Sequence, residues 1–583
     1  MTTLEPAIDR AAEKSGDDGT ATHTEGDTVE HAALDTAIAE LHEGSKLWAR
    51  TSLSKRARLM GELLESIERE AANWVATAAS VKLLDAASPY VGEEWISGPY
   101  ATLDSVRVLR QTLRTLARGA SPLDHTRFGT APGGRVTVPV LPHGPHQKLL
   151  FHGFRADVWL TPGRSAAQAS ASAGLGQLTP SLPGGVGLVL GAGNITSIAP
   201  LDVIYELVAN NRVTILKLNP TFNALLEVYR RALAPLIRRG LLRIVTGGAA
   251  VGGYLAQHPQ IDHVHITGGR DTHDTIVWGP DADGRRTSGT PLLTKPITSE
   301  LGGVSPIIVV PGAWTTRDLR YQAEHVVTQR LHNSGHNCVA GQTVVISRDW
   351  AQRDAFLAEI RTALGRVAAR EPWYPGSGER MSAAAASYPD AETIDGRLLL
   401  EGDGPDMLKT EYFAPVLGVL ELAGTGQRFI DAAIDAANDD FAGDLGVNII
   451  ISPTTLAGMT GFDESLARLR YGTVAVNAWT GMAFLTAAAP WGGWRGHTID
   501  DVQSGIGVVH NSLLLADTER VVVRGPFREF PRSIAGGELA LFPKPPWFVT
   551  ARSAAVTGRL LTTFGARPAW LRLPAIFAAA FRA

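Results

Sequence analysis

The only cysteine of this chain, Cys338, lies in the run Asn333-Ser334-Gly335-His336-Asn337-Cys338-Val339. The run stands between a helical pattern and a strand pattern, so it is predicted to be a loop. A thiolate displayed on such a loop is a nucleophile that can form covalent intermediates. A lone cysteine is otherwise a small buried apolar residue. The two interpretations are separated by whether an oxyanion donor, a base and a cofactor site occur elsewhere in the chain.

Length and composition limit the class of protein. The chain has 583 residues, 44% of them hydrophobic and 19% charged, with a net charge of -4. These values predict two or three domains and give no reason to expect nucleic acid as a partner. A single cysteine excludes a disulfide framework within the chain and a cysteine-rich zinc site, and it suits the reducing cytoplasm. No secretory signal, metal site or membrane-spanning run is predicted.

From residue 183 onward, short apolar strands alternate with helical patterns. A glycine-containing turn, Gly191-Ala192-Gly193-Asn194, follows the first strand. Such alternation predicts a doubly wound parallel sheet, whose ligand binds beyond the carboxyl ends of the strands. The predicted strands are 186–190, 213–217, 242–245 and 264–266.

A second α/β unit is predicted after Glu300-Leu301-Gly302-Gly303. It begins with a strand at 307–310, continues through a helix into the Cys338 loop, and includes a strand at 447–451. The segment 371–408 is rich in Pro, Gly, Asp and Ala and is predicted to be loop. Upstream, residues 1–30 are predicted to be disordered because they are polar and acidic.

Taken together and in order, these motifs resemble the aldehyde dehydrogenase superfamily from about residue 45 to about residue 515. No single short glycine pattern would be specific. The ordered set is specific: Gly193-Asn194, Lys217, Thr267-Gly268-Gly269, Glu300-Leu301-Gly302-Gly303, Gly335 to Cys338, and Glu411-Tyr412-Phe413-Ala414-Pro415-Val416.

The resemblance implies a fold and a set of domain boundaries. It implies a doubly wound cofactor domain, a second α/β catalytic domain and a small β oligomerisation excursion. The boundaries follow: a disordered segment at 1–30, a helical part of the cofactor domain at 31–120, a β-hairpin oligomerisation excursion at 121–165, a Rossmann-like NAD(P)-binding domain at 166–302, a catalytic domain at 303–485, a return to the cofactor and oligomerisation region at 486–543, and a basic amphipathic tail at 544–583.

The resemblance also implies a division of chemical roles. Cys338 would attack an aldehyde to form a thiohemiacetal, and a thioester would remain after hydride leaves for NAD or NADP. The side-chain amide of Asn194 and the backbone N–H of Cys338 would hold the oxyanion. Glu300 would activate the water that releases the carboxylic acid.

A cofactor set follows from the same resemblance. The pyrophosphate would lie near the start of the helix after Thr267-Gly268-Gly269, and Lys217 would reach the adenosine ribose. Glu411 and Phe413 would hold the nicotinamide ribose and ring, and Gly247 and Gly302 would complete the set. The run Lys217-Leu218-Asn219-Pro220 lacks the acid that the family often places after the lysine. NADP is therefore as open as NAD, with Arg270 as a candidate partner for its 2′-phosphate.

Two other functions stay open at this point. An acyl-CoA reductase would run the thioester chemistry in reverse, although Glu300 favours hydrolysis. A non-catalytic family member acting in binding or assembly is disfavoured by Asn194, Glu300 and Cys338 together. The apolar segment 477–485 lies where the family lines its substrate entrance, which indicates a hydrophobic aldehyde or ordinary loop packing.

Partners and location are predicted from the excursion and the tail. The family often forms homodimers or homotetramers through a β excursion like 121–165 and a late strand like 520–524. In the tail, a helix would place Val549, Val556, Leu560 and Phe564 on one side, flanked by Arg552 and Arg559. Such a helix packs on the enzyme body or lies on an anionic membrane surface, so the protein is predicted to be cytoplasmic with peripheral membrane association as the alternative.

Overall fold

A computed structural model describes residues 25–402 and 404–583. Its first layer is helical because apolar residues recur at helix spacing. In the second helix Leu59, Leu63 and Ile67 form a stripe that is fully or almost fully buried. Residues 1–24 of the segment predicted to be disordered lie outside the described residues, but from residue 25 that prediction was wrong. The helices are α1 (Glu25–Ala49), α2 (Leu53–Val81), α3 (Val91–Trp95) and α4 (Ala101–Leu116), with a π-helical turn, Ile96–Tyr100, before α4.

The excursion at 121–165 contains three strands. They are β1 (Gly129–Ala131), β2 (Arg135–Leu141) and β3 (Arg155–Leu160), and α5 (Pro145–Leu150) lies between the last two. All neighbouring pairs in this group are antiparallel. β3 also pairs with a late strand of the same chain, described below, so the excursion extends a sheet of its own chain.

The first α/β unit is the parallel sheet that strand–turn–helix alternation predicts. Its order is β17-β8-β7-β4-β5-β6, and every pair except β17 with β8 is parallel. The doubly wound fold class is therefore confirmed. Its elements are α6 (Ala166–Ser172), β4 (Val186–Leu190), α7 (Ile198–Ala209), β5 (Val213–Lys217), α8 (Leu226–Ala232), α9 (Ala234–Ile237), β6 (Leu242–Val245), α10 (Ala249–Gln257), β7 (His263–Gly268), α11 (Arg270–Trp278), α12 (Ala282–Ser288) and β8 (Ile297–Leu301).

The second α/β unit starts at β9 and carries the Cys338 loop between α13 and β10. The loop predicted at 371–408 was wrong, since that stretch contains two helices and two strands; its Leu398–Leu400 core is buried on both faces. The elements are β9 (Ser305–Val309), α13 (Thr316–Leu331), β10 (Gly341–Ser347), α14 (Arg353–Arg366), α15 (Ser377–Ser387), β11 (Glu392–Ile394), β12 (Arg397–Glu401), α16 (Asp406–Lys409), β13 (Val416–Leu422), α17 (Gly426–Asp439), β14 (Gly446–Ile450), α18 (Pro453–Ala457), α19 (Phe462–Arg468), β15 (Thr473–Val476) and α20 (Gly481–Phe484).

The closing part of the chain joins both sheets. β17 caps the first sheet, and β19 bridges β3 and β15 in an eleven-stranded sheet of order β1-β2-β3-β19-β15-β14-β9-β10-β13-β12-β11. The two segments predicted to mediate oligomers, 121–165 and 520–524, thus pair with each other within one chain. The strands are β16 (Pro490–Trp491), β17 (Gly505–Ile506), β18 (Val509–His510) and β19 (Thr518–Arg524), followed by the short helix α21 (Arg532–Ala535).

The tail packs on the enzyme body through α22 (Ala554–Ala566) and α23 (Leu573–Ala580). Of the residues predicted to share one side, Val549 and Phe564 are buried and Leu560 is partly buried, whereas Val556 is exposed; Leu561, which was not predicted, is buried as well. Gly558 allows this approach, because a Cβ there would lie 2.8 Å from the Trp95 side chain. Among the described residues, none of the helices is long and apolar enough to cross a membrane.

Candidate active site

A cavity of about 580 Å³ lies between the two α/β units, at the carboxyl ends of β4, β5 and β7. Both units contribute to its wall, as expected for a switch-point site. Of the predicted residues, Gly247 is absent from the wall, where its neighbour Gly248 stands instead. The predicted residues that line it are Asn194, Lys217, Thr267, Gly268, Gly269, Glu300, Gly302, Cys338, Glu411 and Phe413.

The cysteine loop turns sharply at the end of α13. Asn333, Ser334 and Gly335 have φ values of 56°, 55° and 78°, which places three successive residues in the left-handed region. A Cβ at Gly335 would lie 2.7 Å from the Ala414 carbonyl oxygen, so the position requires glycine. The fully buried Arg330 donates hydrogen bonds to the carbonyls of Gly335 (2.8 Å) and Ala414 (2.6 Å). Such strain persists only where the surroundings impose it, and it is typical of functional sites.

Asn194 is tied to this loop. Its side-chain amide donates a 3.0 Å hydrogen bond to the carbonyl of His336, and the Asn333 amide donates to the carbonyls of His336 (3.0 Å) and Asn194 (3.2 Å). The turn after β4 and the loop before β10 are therefore joined by amide groups. This arrangement holds the Asn194 amide near Cys338, where an oxyanion donor is needed.

A buried charge network below the loop was not foreseen from the sequence. The Lys82 ammonium lies 2.8 Å from Glu94, with both side chains fully buried, and it donates to Asn333 Oδ1 at 3.1 Å. Glu93 accepts from the Asn333 backbone N–H (3.0 Å) and from Arg370 (2.6 Å). A Lys-Glu pair spaced by 12 residues has no local signal, because α2 and α3 meet only in the folded chain.

Breaking this pair should destabilise the protein. Lys82→Met leaves the Glu94 carboxylate buried without its partner, and removing one member of a buried ion pair typically costs about 3–5 kcal/mol of unfolding free energy. Denaturant unfolding would measure this change. The double variant Lys82→Met/Glu94→Leu is the control, and it should recover most of the loss; a single variant as stable as the wild type would contradict the assignment.

Glu300 lies on β8 and contacts the thiol of Cys338. Trp491 donates from Nε1 to Glu300 Oε1 at 3.3 Å. Burial raises the pKa of Glu300 to about 7. Burial, and then the nearby Glu300 charge, raise the pKa of the Cys338 thiol well above its usual value. A carboxylate with a pKa near neutrality is suited to accept a proton from the thiol or from water.

A polar cluster lies behind Glu300 on the same face of β7 and β8. Strand pairing places Thr267 beside Glu300. The Thr267 hydroxyl donates to Asp202 Oδ2 (2.9 Å), and His265 Nε2 lies 3.5 Å from the same oxygen. Asp202 contributes further to the raised pKa of Glu300. Of these residues, Thr267 was predicted as part of the cofactor site, whereas Asp202 and His265 belong to no motif that the sequence analysis identified.

His336 is a structural residue of the loop. Burial, and then Arg330, lower its pKa to about 2, so its ring is neutral. Its Nε2 lies 3.1 Å from the Ser377 hydroxyl, and its ring contacts Trp373, Tyr374 and Phe413. This environment agrees with its interpretation as a loop residue rather than a second base.

The cofactor side of the cavity fits a dinucleotide. Gly248 and Gly269 precede α10 and α11, and a Cβ at either would meet nothing within 4 Å, so both helix starts border open space where an anion could approach. Lys217 is buried at the end of β5, without an ion pair among the described residues. Glu411 Oε1 is buried and has no hydrogen-bond partner. The Lys217 ammonium would suit the adenosine end of a dinucleotide, the two helix starts would suit its pyrophosphate, and the free Glu411 oxygen would suit a ribose hydroxyl.

Two residues of the cavity wall were not predicted from the sequence. Tyr374 and Arg380 line the wall beside Glu411, and Arg380 Nε donates to the Tyr412 carbonyl at 2.7 Å. Both belong to the segment predicted to be loop, so no motif marked them.

Arg270, the candidate for a 2′-phosphate, is exposed at the first position of α11 and outside the cavity wall. Groups of metal-ligating side chains are absent from the described parts of the chain.

The segment 477–485 lies against the other side of the cysteine loop. Trp479 Nε1 donates to the Val339 carbonyl at 3.2 Å, and its ring contacts the His332 ring. Phe484 packs on Trp491, which itself bonds to Glu300. Apolar rings therefore pack around the Cys338 loop and Glu300.

Comparison with known proteins was made for the sequence and for the fold. Residues 166–378 match the model of the aldehyde dehydrogenase family. Three solved structures share the fold at 19–20% identity. A mutant of aldehyde dehydrogenase C from Pseudomonas syringae, in complex with NAD+ and octanal, is 20% identical with a TM-score of 0.58 over 85% of this chain and 89% of that one. Gamma-glutamyl-gamma-aminobutyraldehyde dehydrogenase from Burkholderia cenocepacia is 20% identical, with a TM-score of 0.54 over 84% and 88%. NADP-dependent glyceraldehyde-3-phosphate dehydrogenase from Bacillus halodurans, in complex with NADP, is 19% identical, with a TM-score of 0.54 over 85% and 91%.

Proposed function

We propose that this chain, whose residues 166–378 match the aldehyde dehydrogenase family and whose fold is shared with solved aldehyde dehydrogenases, oxidises an aldehyde to a carboxylic acid with NAD or NADP. One observation carries the proposal. The Cys338 thiol, the Glu300 carboxyl group and the Asn194 amide line one cavity, whose wall also carries the residues suited to a dinucleotide.

The reaction is derived from these side chains. Glu300 accepts the thiol proton, and the Cys338 thiolate attacks the aldehyde carbon to give a thiohemiacetal. The Asn194 amide and the Cys338 backbone N–H hold the resulting oxyanion. A bound NAD or NADP would supply the acceptor for the hydride that leaves this carbon as the oxyanion collapses to a thioester. After the proton on Glu300 has passed to solvent, Glu300 takes a proton from water, which attacks the thioester carbon; the Cys338 thiolate then leaves and regains that proton, and the carboxylic acid is released.

The cofactor would be held by residues of the cavity wall: Lys217, Thr267, Gly268, Gly269, Gly302, Glu411 and Phe413. Asn219 and Pro220 follow Lys217, so no acid repels a 2′-phosphate at this strand end. Both cofactors are therefore proposed as acceptors, with Arg270 as a partner for the 2′-phosphate if its side chain turns toward the cavity. The ratio of kcat/KM for NAD and NADP measures the preference.

Asn194→Ala is expected to lower kcat by about 10²–10³-fold, because it removes one of two oxyanion donors. KM for the aldehyde should change much less, since the interaction forms in the transition state. Steady-state kinetics with a fixed cofactor would measure both constants. Asn219→Ala, at another amide lining the cavity but near the cofactor end, is the matched control; a kcat loss in the control as large as in Asn194→Ala would contradict the oxyanion role.

The function itself is tested with a panel of short aliphatic, long aliphatic and aromatic aldehydes, with NAD and with NADP, with and without coenzyme A. Formation of NAD(P)H and free acid without coenzyme A supports the proposal. A strict requirement for coenzyme A would favour an acyl-CoA reductase. No NAD(P)H with any aldehyde would favour a binding or assembly role.

A hydrophobic aldehyde is the proposed substrate class. The apolar rings of Trp479, Phe484 and Trp491 pack around the Cys338 loop and Glu300, and one solved structure of the same fold contains octanal. Within the panel, kcat/KM should rise from acetaldehyde to octanal or benzaldehyde. A clear preference for acetaldehyde would overturn this proposal.

The proposed setting is cytoplasmic, as a homodimer or homotetramer. Membrane contact by the tail is proposed from its exposed side chains. The tail buries Leu561 and Phe564 against the enzyme body, but Leu571 is 94% exposed and Trp570 is 56% exposed, close in sequence to Arg567 and Arg572. These residues suit contact with an anionic membrane surface. The double variant Trp570→Ser/Leu571→Ser tests this contact without removing the buried residues of the tail. An unchanged partition between soluble and membrane fractions would discard membrane contact.

A further inference from the structure

A second cavity, of about 370 Å³, lies between α4, the start of α5 and the end of α22. Its wall shares no residue with that of the catalytic cavity. We name it the arginine cavity after Arg107, Arg110 and Arg114, which follow one face of α4 at a spacing of three and four residues. Like charges at this spacing repel, so they destabilise the helix unless negative charge lies nearby.

The acidic side chains near the arginine cavity neutralise only part of its positive charge. Asp104 is the acid of the cavity wall, and both of its oxygens are already engaged: Oδ1 pairs with Arg107, and Oδ2 accepts from Gln147 Nε2 at 3.2 Å. Neither Arg110 nor Arg114 has an ion pair within the part of the chain that the structure describes, although Glu65 acts on Arg110 from a distance. In a protein of net charge -4, this is a local excess of positive charge.

Buried donors in the arginine cavity have no acceptor. Arg107 Nε, Arg110 Nε and His146 Nε2 are buried and lack hydrogen-bond partners in the described residues. A buried donor without a partner typically costs about 1–3 kcal/mol, and more when it is charged. Burial, and then Arg114, lower the pKa of Arg110, as expected for a guanidinium without a counter-ion.

Apolar rings complete the wall and restrict what can fill it. Tyr100, Leu150 and Phe564 line the same space, and the His146 ring lies 4.4 Å from that of the exposed Trp570. Guanidinium groups bind phosphate and carboxylate through paired, charge-assisted hydrogen bonds. We propose that the arginine cavity binds an organic anion, with its phosphate or carboxylate on Arg107, Arg110 and Arg114 and its hydrocarbon part against Tyr100 and Phe564.

The shared chemistry allows two sources: a free organic anion or the headgroup of a lipid. Titration calorimetry with butyl phosphate, butyrate and inorganic phosphate tests the first, with NAD present to occupy the catalytic cavity. Flotation with vesicles of phosphatidylglycerol and phosphatidylcholine, against phosphatidylcholine alone, tests the second. The double variant Arg110→Gln/Arg114→Gln removes the two uncompensated charges at partly and fully exposed positions, so it should fold. Arg118→Gln, one turn further along and outside the cavity, is the matched control.

Wild type should bind at least one organic anion at one site per chain, or bind the anionic vesicles. The double variant should weaken that binding at least about 10-fold, as expected for two lost charge-assisted contacts, and Arg118→Gln should not. An unfolding midpoint like that of the wild type would confirm that the double variant folds. Absence of binding to all probes, or equal binding by wild type and the double variant, would overturn the proposal. Aldehyde oxidation is a separate readout, and its failure would leave this result unchanged.

Discussion

Replacing Cys338 with alanine is expected to abolish aldehyde-dependent formation of NAD(P)H, with a fall in kcat of at least about 10⁴-fold. No second thiol exists in the chain to replace it. The loss is large because hydride can leave only after the aldehyde carbon carries an oxyanion, and the thiolate is the group that creates it. Absorbance of NAD(P)H with saturating aldehyde and cofactor measures the effect.

Two controls separate chemistry from folding. The Cys338 side chain is small and only partly buried, so Cys338→Ala should unfold at nearly the wild-type denaturant concentration and still bind the cofactor. Cys338→Ser retains the size but offers a weaker nucleophile, and it should be almost as inactive. Activity near the wild-type level in either variant would refute covalent catalysis by Cys338.

Glu300→Gln is expected to lower the steady-state rate by about 10²–10⁴-fold, because the amide cannot take a proton from water. Up to one equivalent of NAD(P)H per site should still form before turnover stops, since the thioester precedes hydrolysis. This burst should be slower than in the wild type, because Glu300 also accepts the thiol proton. Rapid mixing with aldehyde would resolve the burst from the steady state.

The pH profile provides an independent check of the same residue. Burial raises the pKa of Glu300 to about 7, and only its deprotonated form is a base. The rate should therefore rise with pH through about 7 and level off above it. Asp202, His265, Cys338 and Glu411 face this carboxyl group, so the apparent value belongs to the whole cluster. A rising limb of the same size in Glu300→Gln would show that another group is responsible.

Local patterns in the sequence determined much of the fold. Short, mostly apolar runs bounded by turn residues identified β4, β5 and β6 at their observed bounds; β4 and β5 are buried at every residue, which favours apolar side chains on both faces. The segment 371–408 was assigned wrongly, because its abundance of Pro, Gly and Asp obscured two short strands, of which β12 is stabilised by pairing with β13 and β11 by pairing with β12. Propensity is a weak guide where tertiary contacts decide.

The sequence by itself determined which residue types are available for chemistry: one thiol, and the carboxylate, amide and glycine turns that follow the strands. Only the tertiary structure decided their environment. Glu300 is a poor base in water, and burial beside Cys338 and Asp202 raises its pKa toward neutrality. The supporting pair Lys82 and Glu94, and the arginine cavity, arise where helices far apart in the chain pack together. Burial and long-range contact depend on the whole fold, so no local pattern encodes them.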